Sequence, residues 1–252
     1  MNTETVILSG AAAVAAGLIG CFAVMRRMVL AADALSHVAL PGIGVALAFH
    51  VHPLLGAVTM LLFGGLLVWT LEDRSRAATE TVVGVVFSVA LAVGSLLTSG
   101  EDLIDALFGS ASDLSWPETL FGLAVSAGVV VFVTRYKDSL VIALVSPDIA
   151  RTAGINLRRL NLLFLETFAL TVALGLRYLG VLLMGSLIII PAATAKRLSR
   201  NLTQMLVIAA AIALVVTVAG SYLAERLHRE TGPLIVVLAA GLFLLTLVRR
   251  NR

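Results

Sequence analysis

Charge is what this chain has least of. Only 13% of its residues are charged and 6% aromatic, against 60% hydrophobic, and the mean hydropathy is +1.04. A water-soluble domain carries about 25% charged residues, so a soluble globular enzyme is excluded. Disorder needs few apolar residues and many charges, and is excluded as well. The single cysteine, Cys21, rules out an intramolecular disulfide and any thiolate cluster. Lys137 and Lys196 are the only lysines and neither follows a glycine, so there is no phosphate loop of the form G-x-x-x-x-G-K-[ST] and no ATP binding by that route. The motifs H-E-x-x-H and G-x-S-x-G are missing too. Glu4 is the only charge before the first apolar run, and Arg26 and Arg27 follow it. Those flanks are the reverse of a cleaved signal peptide, so the first run is expected to stay as a helix.

What is present is a series of apolar runs, many approaching the roughly 20 residues that cross a bilayer as helix. The spans read as Thr5–Met25, Val29–Phe49, Pro53–Leu71, Thr81–Ser99, Pro117–Thr134, Leu160–Leu176, Gly180–Ala195, Leu202–Leu223 and Pro233–Val248. The expected fold is therefore all-α, a polytopic transmembrane bundle of about nine helices, or eight, forming one domain over residues 1–252. Leu103–Phe108 is too short to cross and reads as re-entrant or interfacial. Ser115, Pro117 and Glu118 form a capping-box start for the fifth span.

The basic residues orient the bundle. Of 18, fifteen fall on one side: Arg26, Arg27, Arg74, Arg76, Arg135, Lys137, Arg151, Arg158, Arg159, Lys196, Arg197, Arg200, Arg249, Arg250 and Arg252. Only Arg177, Arg226 and Arg229 fall on the other. The positive-inside rule makes the first side cytoplasmic, with the N-terminus outside and the C-terminus inside. The net charge of +3 is thus topological, facing anionic lipid, and implies no nucleic acid.

Ionisable groups inside spans are costly, roughly 2.5–3.5 kcal/mol each on insertion scales, so each is informative. Asp33 and His37 stand at i,i+4 in the second span, on one helix face, with Ser36 close by. Pro41 has no N–H for the His37 carbonyl, leaving a spare acceptor and a bend. Carboxylate, imidazole and carbonyl within one turn suit a cation site. Two other readings stand beside it: an internal Asp33–His37 ion pair that holds helices together, or an Asp33 near the cytoplasmic headgroups. Glu166 in the sixth span is either a second carboxylate on a polar path or a partner for Arg158, Arg159 or a hydroxyl. His50 and His52, at the outer end of the second span, are either a metal-catching pair or interfacial histidines without a ligand. On the cytoplasmic side, Ser146 is a good N-cap, Pro147 fits the first helical position, Asp148 suits the helix dipole and Gly154 a terminating position. A short helix near 146–154 results, either a protein-docking element or an interfacial helix without a partner.

Five segments in order resemble one family. Arg26-Arg27-Met28 with Ala32-Asp33-Ala34-Leu35-Ser36-His37-Val38-Ala39-Leu40-Pro41-Gly42 is similar to "RR…GDALSHAxLPG" of the ABC-transporter permeases for zinc, manganese and iron. Leu107-Phe108-Gly109-Ser110 resembles its "LFGS", and Ser146-Pro147-Asp148-Ile149-Ala150…Gly154 its "SPD-x-A…G". The stretch from Gly180 to Arg197 resembles "VG-x-LL-x-x-x-LLIIPAATAR", and Thr231-Gly232-Pro233-Leu234-Ile235-Val236-Val237-Leu238 resembles "P-x-GP-x-IVL". Ala32 departs from the family's glycine, and Glu166 and His52 match no family position.

The resemblance implies a multi-pass permease of the bacterial inner membrane, itself not an enzyme, that forms a homodimer. Two ATP-binding cassette subunits power it and an extracytoplasmic metal-binding protein supplies it. It implies that Asp33 and His37 line the metal path, and that Ser146, Pro147, Asp148, Ala150 and Gly154 form the element coupled to the ATPase. The divalent ion is cargo, and no cofactor is implied in this chain. Aspartate and histidine suit zinc, manganese and ferrous iron alike. The rival reading is a stand-alone secondary transporter or channel for divalent metals, which leaves the 146–154 helix idle.

Overall fold

The computed structural model describes residues 3–75, 77–97, 116–179 and 181–249. These fold into ten helices, with no strand among the described residues: α1 Thr3–Met25, α2 Val29–Ala48, α3 Pro53–Ser75, α4 Thr79–Leu97, α5 Trp116–Val145, α6 Pro147–Thr152, α7 Leu157–Leu179, α8 Val181–Leu198, α9 Leu202–Leu227 and α10 Thr231–Arg249. Six of them (α1, α3, α4, α5, α7 and α9) are both long and apolar enough to cross a membrane. Leu103–Phe108 and Ser115 lie outside the described residues.

Helix α1 is the central post, packed on α9, α8, α5 and α7. It qualifies because it is small-faced: Ala12, Ala13, Ala15, Ala16 and Ala23 are buried alongside Ile19 and Phe22. Small side chains let backbones approach where lipid supplies no hydrophobic drive between helices. A close crossing is α2 on α3, where Gly42 and Gly56 face each other and a Cβ on either would strike the other's carbonyl oxygen. That crossing fixes α2, which carries Asp33 and His37, against α3, while α4 and α8 flank its other sides.

One element departs from the hydropathy reading. Hydropathy ends the fifth span at Thr134, yet α5 runs 30 residues, from Trp116 to Val145. Nothing between Thr134 and Ser146 breaks a helix, since Gly and Pro are absent there. Leu140 beyond the charged turn is 1% exposed, so packing resumes past the charges. A hydropathy window reports where apolar sequence stops, and a helix does not have to stop there. Helix α2 similarly runs unbroken through Pro41.

Helix α6 follows α5 directly. Ser146 adopts an extended conformation and its side chain accepts from the Ile149 N–H. Pro147 opens the helix and Asp148 pairs with Arg151 at 2.9 Å. Gly154 sits at φ +78°, a left-handed position that suits glycine. There the Ile155 N–H reaches back to the Ala150 carbonyl at 2.9 Å, closing the helix. Asn156 then caps α7, its Oδ1 accepting from the Arg159 N–H at 3.0 Å. So α6 and α7 meet in a turn with its hydrogen bonds made. Ala150 is fully buried and Ile149 is 60% exposed, so α6 has one face on the bundle and one free.

Candidate functional site

Asp33 and His37 lie one turn apart on α2. Asp33 is exposed at the surface of the chain, and the Gly185 backbone of α8 packs behind it. The carboxylate has no hydrogen bond or ion pair among the described residues, so the internal Asp33–His37 ion pair does not form. His37 is half-buried, its ring tilted against Phe87 of α4 with centroids 5.6 Å apart. Its Nδ1 is buried without a partner. A buried imidazole nitrogen without a partner is unusual, because desolvating it unpaired is costly. The adjacent Ser36 is fully buried. The pair therefore offers an open carboxylate and a spare nitrogen, both donors for a divalent cation. Among the described residues no three His, Cys, Asp or Glu side chains gather at one place.

The other flagged residues separate. Glu166 on α7 is half-buried, its Oε1 facing Gly65 of α3, and it pairs with neither Arg158 nor Arg159. Arg158 is held elsewhere, by Asp73 at 3.1 Å and over the Trp69 ring at 4.7 Å. His50 is exposed at φ +55°. His52 serves the backbone, its Nδ1 accepting from the Leu54 N–H at 3.3 Å in the first turn of α3. Its Nε2 stands 3.3 Å from Glu118 Oε1.

At the end of the bundle that holds α6, a polar chain crosses four elements. Arg26 Nη1 donates to Asn161 Oδ1 at 2.7 Å, and Asn161 Nδ2 donates to Glu72 Oε2 at 3.0 Å. Glu72 Oε1 accepts from Thr79 Oγ1 at 2.7 Å. The guanidinium lies over the Phe164 ring, 4.1 Å from its centroid. Burial lowers the Arg26 pKa to about 10, partly opposed by the Glu72 carboxylate, so the group is charged at neutral pH. Arg26, Glu72 and Asn161 border an open groove of about 730 Å³ with Trp69, Asp73 and Arg151. Sequence reasoning counts Arg26 as a topological charge and passes over Glu72, Thr79 and Asn161. Asn161 offers one faint signal, a polar residue in the first turns of an apolar span.

An all-helical bundle with six membrane-length helices, one short capped helix on a loop and a carboxylate and an imidazole one turn apart on α2 is the architecture of a membrane transport permease. The chain belongs to the ABC 3 transport family, which it matches over residues 2–250. It is 30% identical over 242 residues to the high-affinity zinc uptake system membrane protein ZnuB of Haemophilus influenzae, covering 93% of this chain and 92% of that one. It is 29% identical to the manganese transport system membrane protein MntC of Halalkalibacterium halodurans (91% and 80% covered). It is 30% identical to the chelated iron transport system membrane protein YfeD of Yersinia pestis (93% and 80%). Its fold matches PsaBC from Streptococcus pneumoniae in complex with Fab, with a TM-score of 0.83 at 24% identity over 96% of this chain and 89% of that one. The protein is a multi-pass permease subunit of the bacterial inner membrane, and ATP hydrolysis belongs to a separate chain.

Proposed function

We propose that Asp33 and His37 bind the divalent metal in transit and that the chain works as a homodimer in which each copy contributes the pair. The protein is the permease of an ATP-driven importer of divalent metal ions. The observation that carries the site is the donor pair itself: an exposed, unpaired Asp33 one turn from a His37 whose Nδ1 is buried and unpartnered. Two such pairs supply four ligands, and two carboxylates neutralise one divalent ion, which offsets its desolvation. A donor pair with no third such side chain gathered beside it among the described residues fits that sharing.

The rest of the cycle follows from topology. About nine spans with the N-terminus outside place the loops around Arg177 and Arg226 toward an extracytoplasmic metal-binding protein. The same topology places α6 toward two ATP-binding cassette subunits. Ser146, Pro147, Asp148, Ala150 and Gly154 build α6 as the docking element, its exposed Ile149 available for contact. Zinc, manganese and ferrous iron all suit the donor set.

Uptake of the three metals by the intact complex tests the reading. Asp33→Ala and His37→Ala should each abolish import while dimer assembly and ATPase association persist. Normal import by both variants would remove the pair from the path.

A further inference from the structure

The polar chain from Arg26 to Thr79 joins two parts of the protein that the proposed cycle must connect. One part is α6 with α7. They meet in the Gly154 turn, and α7 is fastened to α3 by the Trp69 indole donating to the Arg158 carbonyl at 3.0 Å and by the Arg158–Asp73 pair. The other part is the α1–α2 elbow. Here Arg27 takes φ +61° and the Met28 N–H bonds the Ala23 carbonyl at 2.9 Å, turning the chain into α2 a few residues before Asp33. Arg26 sits on that elbow. Its partner Asn161 sits early in α7.

The geometry is specific. The Asn161 amide can satisfy both neighbours in one orientation only, oxygen to Arg26 and nitrogen to Glu72. The guanidinium is fixed from a second side by the Phe164 ring, itself fully buried on α7. A charge-assisted bond to a stacked, half-buried guanidinium is among the stronger polar contacts a protein makes. Glu72 extends the tie to Thr79, at the start of α4.

We propose that Asn161 is a positioning residue for transport, which passes displacement of α6 and α7 through Arg26 to the helix that carries Asp33. The proposal rests on the reading of α6 as the ATPase-docking element and of Asp33 as a metal ligand. Asn161 touches neither metal nor nucleotide, so its loss should disconnect hydrolysis from import and leave each component in place.

The test uses the permease with its ATPase subunits in proteoliposomes, with the binding protein and zinc, manganese or ferrous iron, whichever the unaltered complex imports fastest. Metal imported per ATP hydrolysed is the readout. Asn161→Ala should lower it roughly tenfold, within the ordinary range of coupling energies, with unchanged ATPase association, in assays run well below the melting temperature of the variant, which loss of the Arg26 contact lowers. Arg26→Lys keeps the charge that sets topology but loses the planar stack and fork, and should show the same loss. Asn161→Asp combined with Glu72→Gln reverses the direction of the bond between positions 161 and 72 while satisfying every member, and should restore the ratio. The proposal is overturned if the single variants keep the ratio. It is equally overturned if the double exchange fails to restore it, or if the loss follows melting temperature instead. Failure of the underlying reading looks different: Asp33→Ala would still import, or truncating the exposed Ile149 face of α6 would leave ATPase binding intact.

Discussion

Gly185 on α8 backs directly onto Asp33 on α2: a Cβ built at Gly185 would lie 3.2 Å from the Asp33 Cα and 3.3 Å from its Cβ. The approach is close enough that α8 must yield a few tenths of an ångström to admit a methyl group, and more for a branched side chain. Gly185→Ala should therefore reduce metal import by a few-fold. Gly185→Val should reduce it by about a hundredfold, since roughly 1 Å of misplacement at a reacting centre is worth that much. Initial import rates in vesicles check both, and equal rates for wild type and Gly185→Val would show that the Asp33 position does not set the rate.

The donor type at position 37 should bias the choice of metal. A thiolate is softer than an imidazole and favours zinc over manganese. His37→Cys is expected to raise the ratio of zinc to manganese import several-fold in competition, with total import lowered. An unchanged ratio would place His37 outside the ligand set.

His52 should matter for stability and not for transport. Its Nδ1 serves the first turn of α3, where loss of a capping acceptor costs about 0.5–2 kcal/mol. His52→Ala should lower the melting temperature of the solubilised permease. His52→Asn, which keeps an acceptor at that position, should recover most of the difference, and import should change little in either.

Helix α6 is six residues long and depends on its ends. Ser146→Ala removes the N-cap at a cost of about 1 kcal/mol. Gly154→Ala forces a β-carbon into the left-handed region at about 1–2 kcal/mol. Each should weaken copurification of the ATPase subunits, and the pair should weaken it further.

How much of this is legible in the sequence differs by length scale. Helix positions follow from apolar runs, so α1 and α2 begin and end within a few residues of expectation. The extension of α5 past Thr134 is not legible, because hydropathy reports where apolar sequence stops and the helix continues through the charged turn. Asp33 and His37 are visible from their i,i+4 spacing alone. The absence of an ion pair between them is not, since it depends on rotamers and neighbours. The chain of Arg26, Asn161 and Glu72 is invisible in principle: Arg26 and Asn161 are 135 positions apart, Asn161 and Glu72 are 89, and no local pattern links them. For His50 and His52 the sequence leaves two readings open, and the bond from the Leu54 N–H to His52 Nδ1 is a local contact that only the backbone path reveals.

The 30-residue α5 also has a mechanical consequence. At 1.5 Å per residue it is about 45 Å long, while the hydrocarbon core is about 30 Å thick. If it crosses near the normal, its far end carries α6 beyond the headgroups while resting on α7. Reach and azimuth are linked: deleting one residue beyond Thr134 would withdraw α6 by about 1.5 Å and swing it by about 100°. The free face of α6 would then point away from whatever it meets, although every residue of that face is still present. The register of the charged turn beyond Thr134 thus sets the direction in which α6 presents its exposed face.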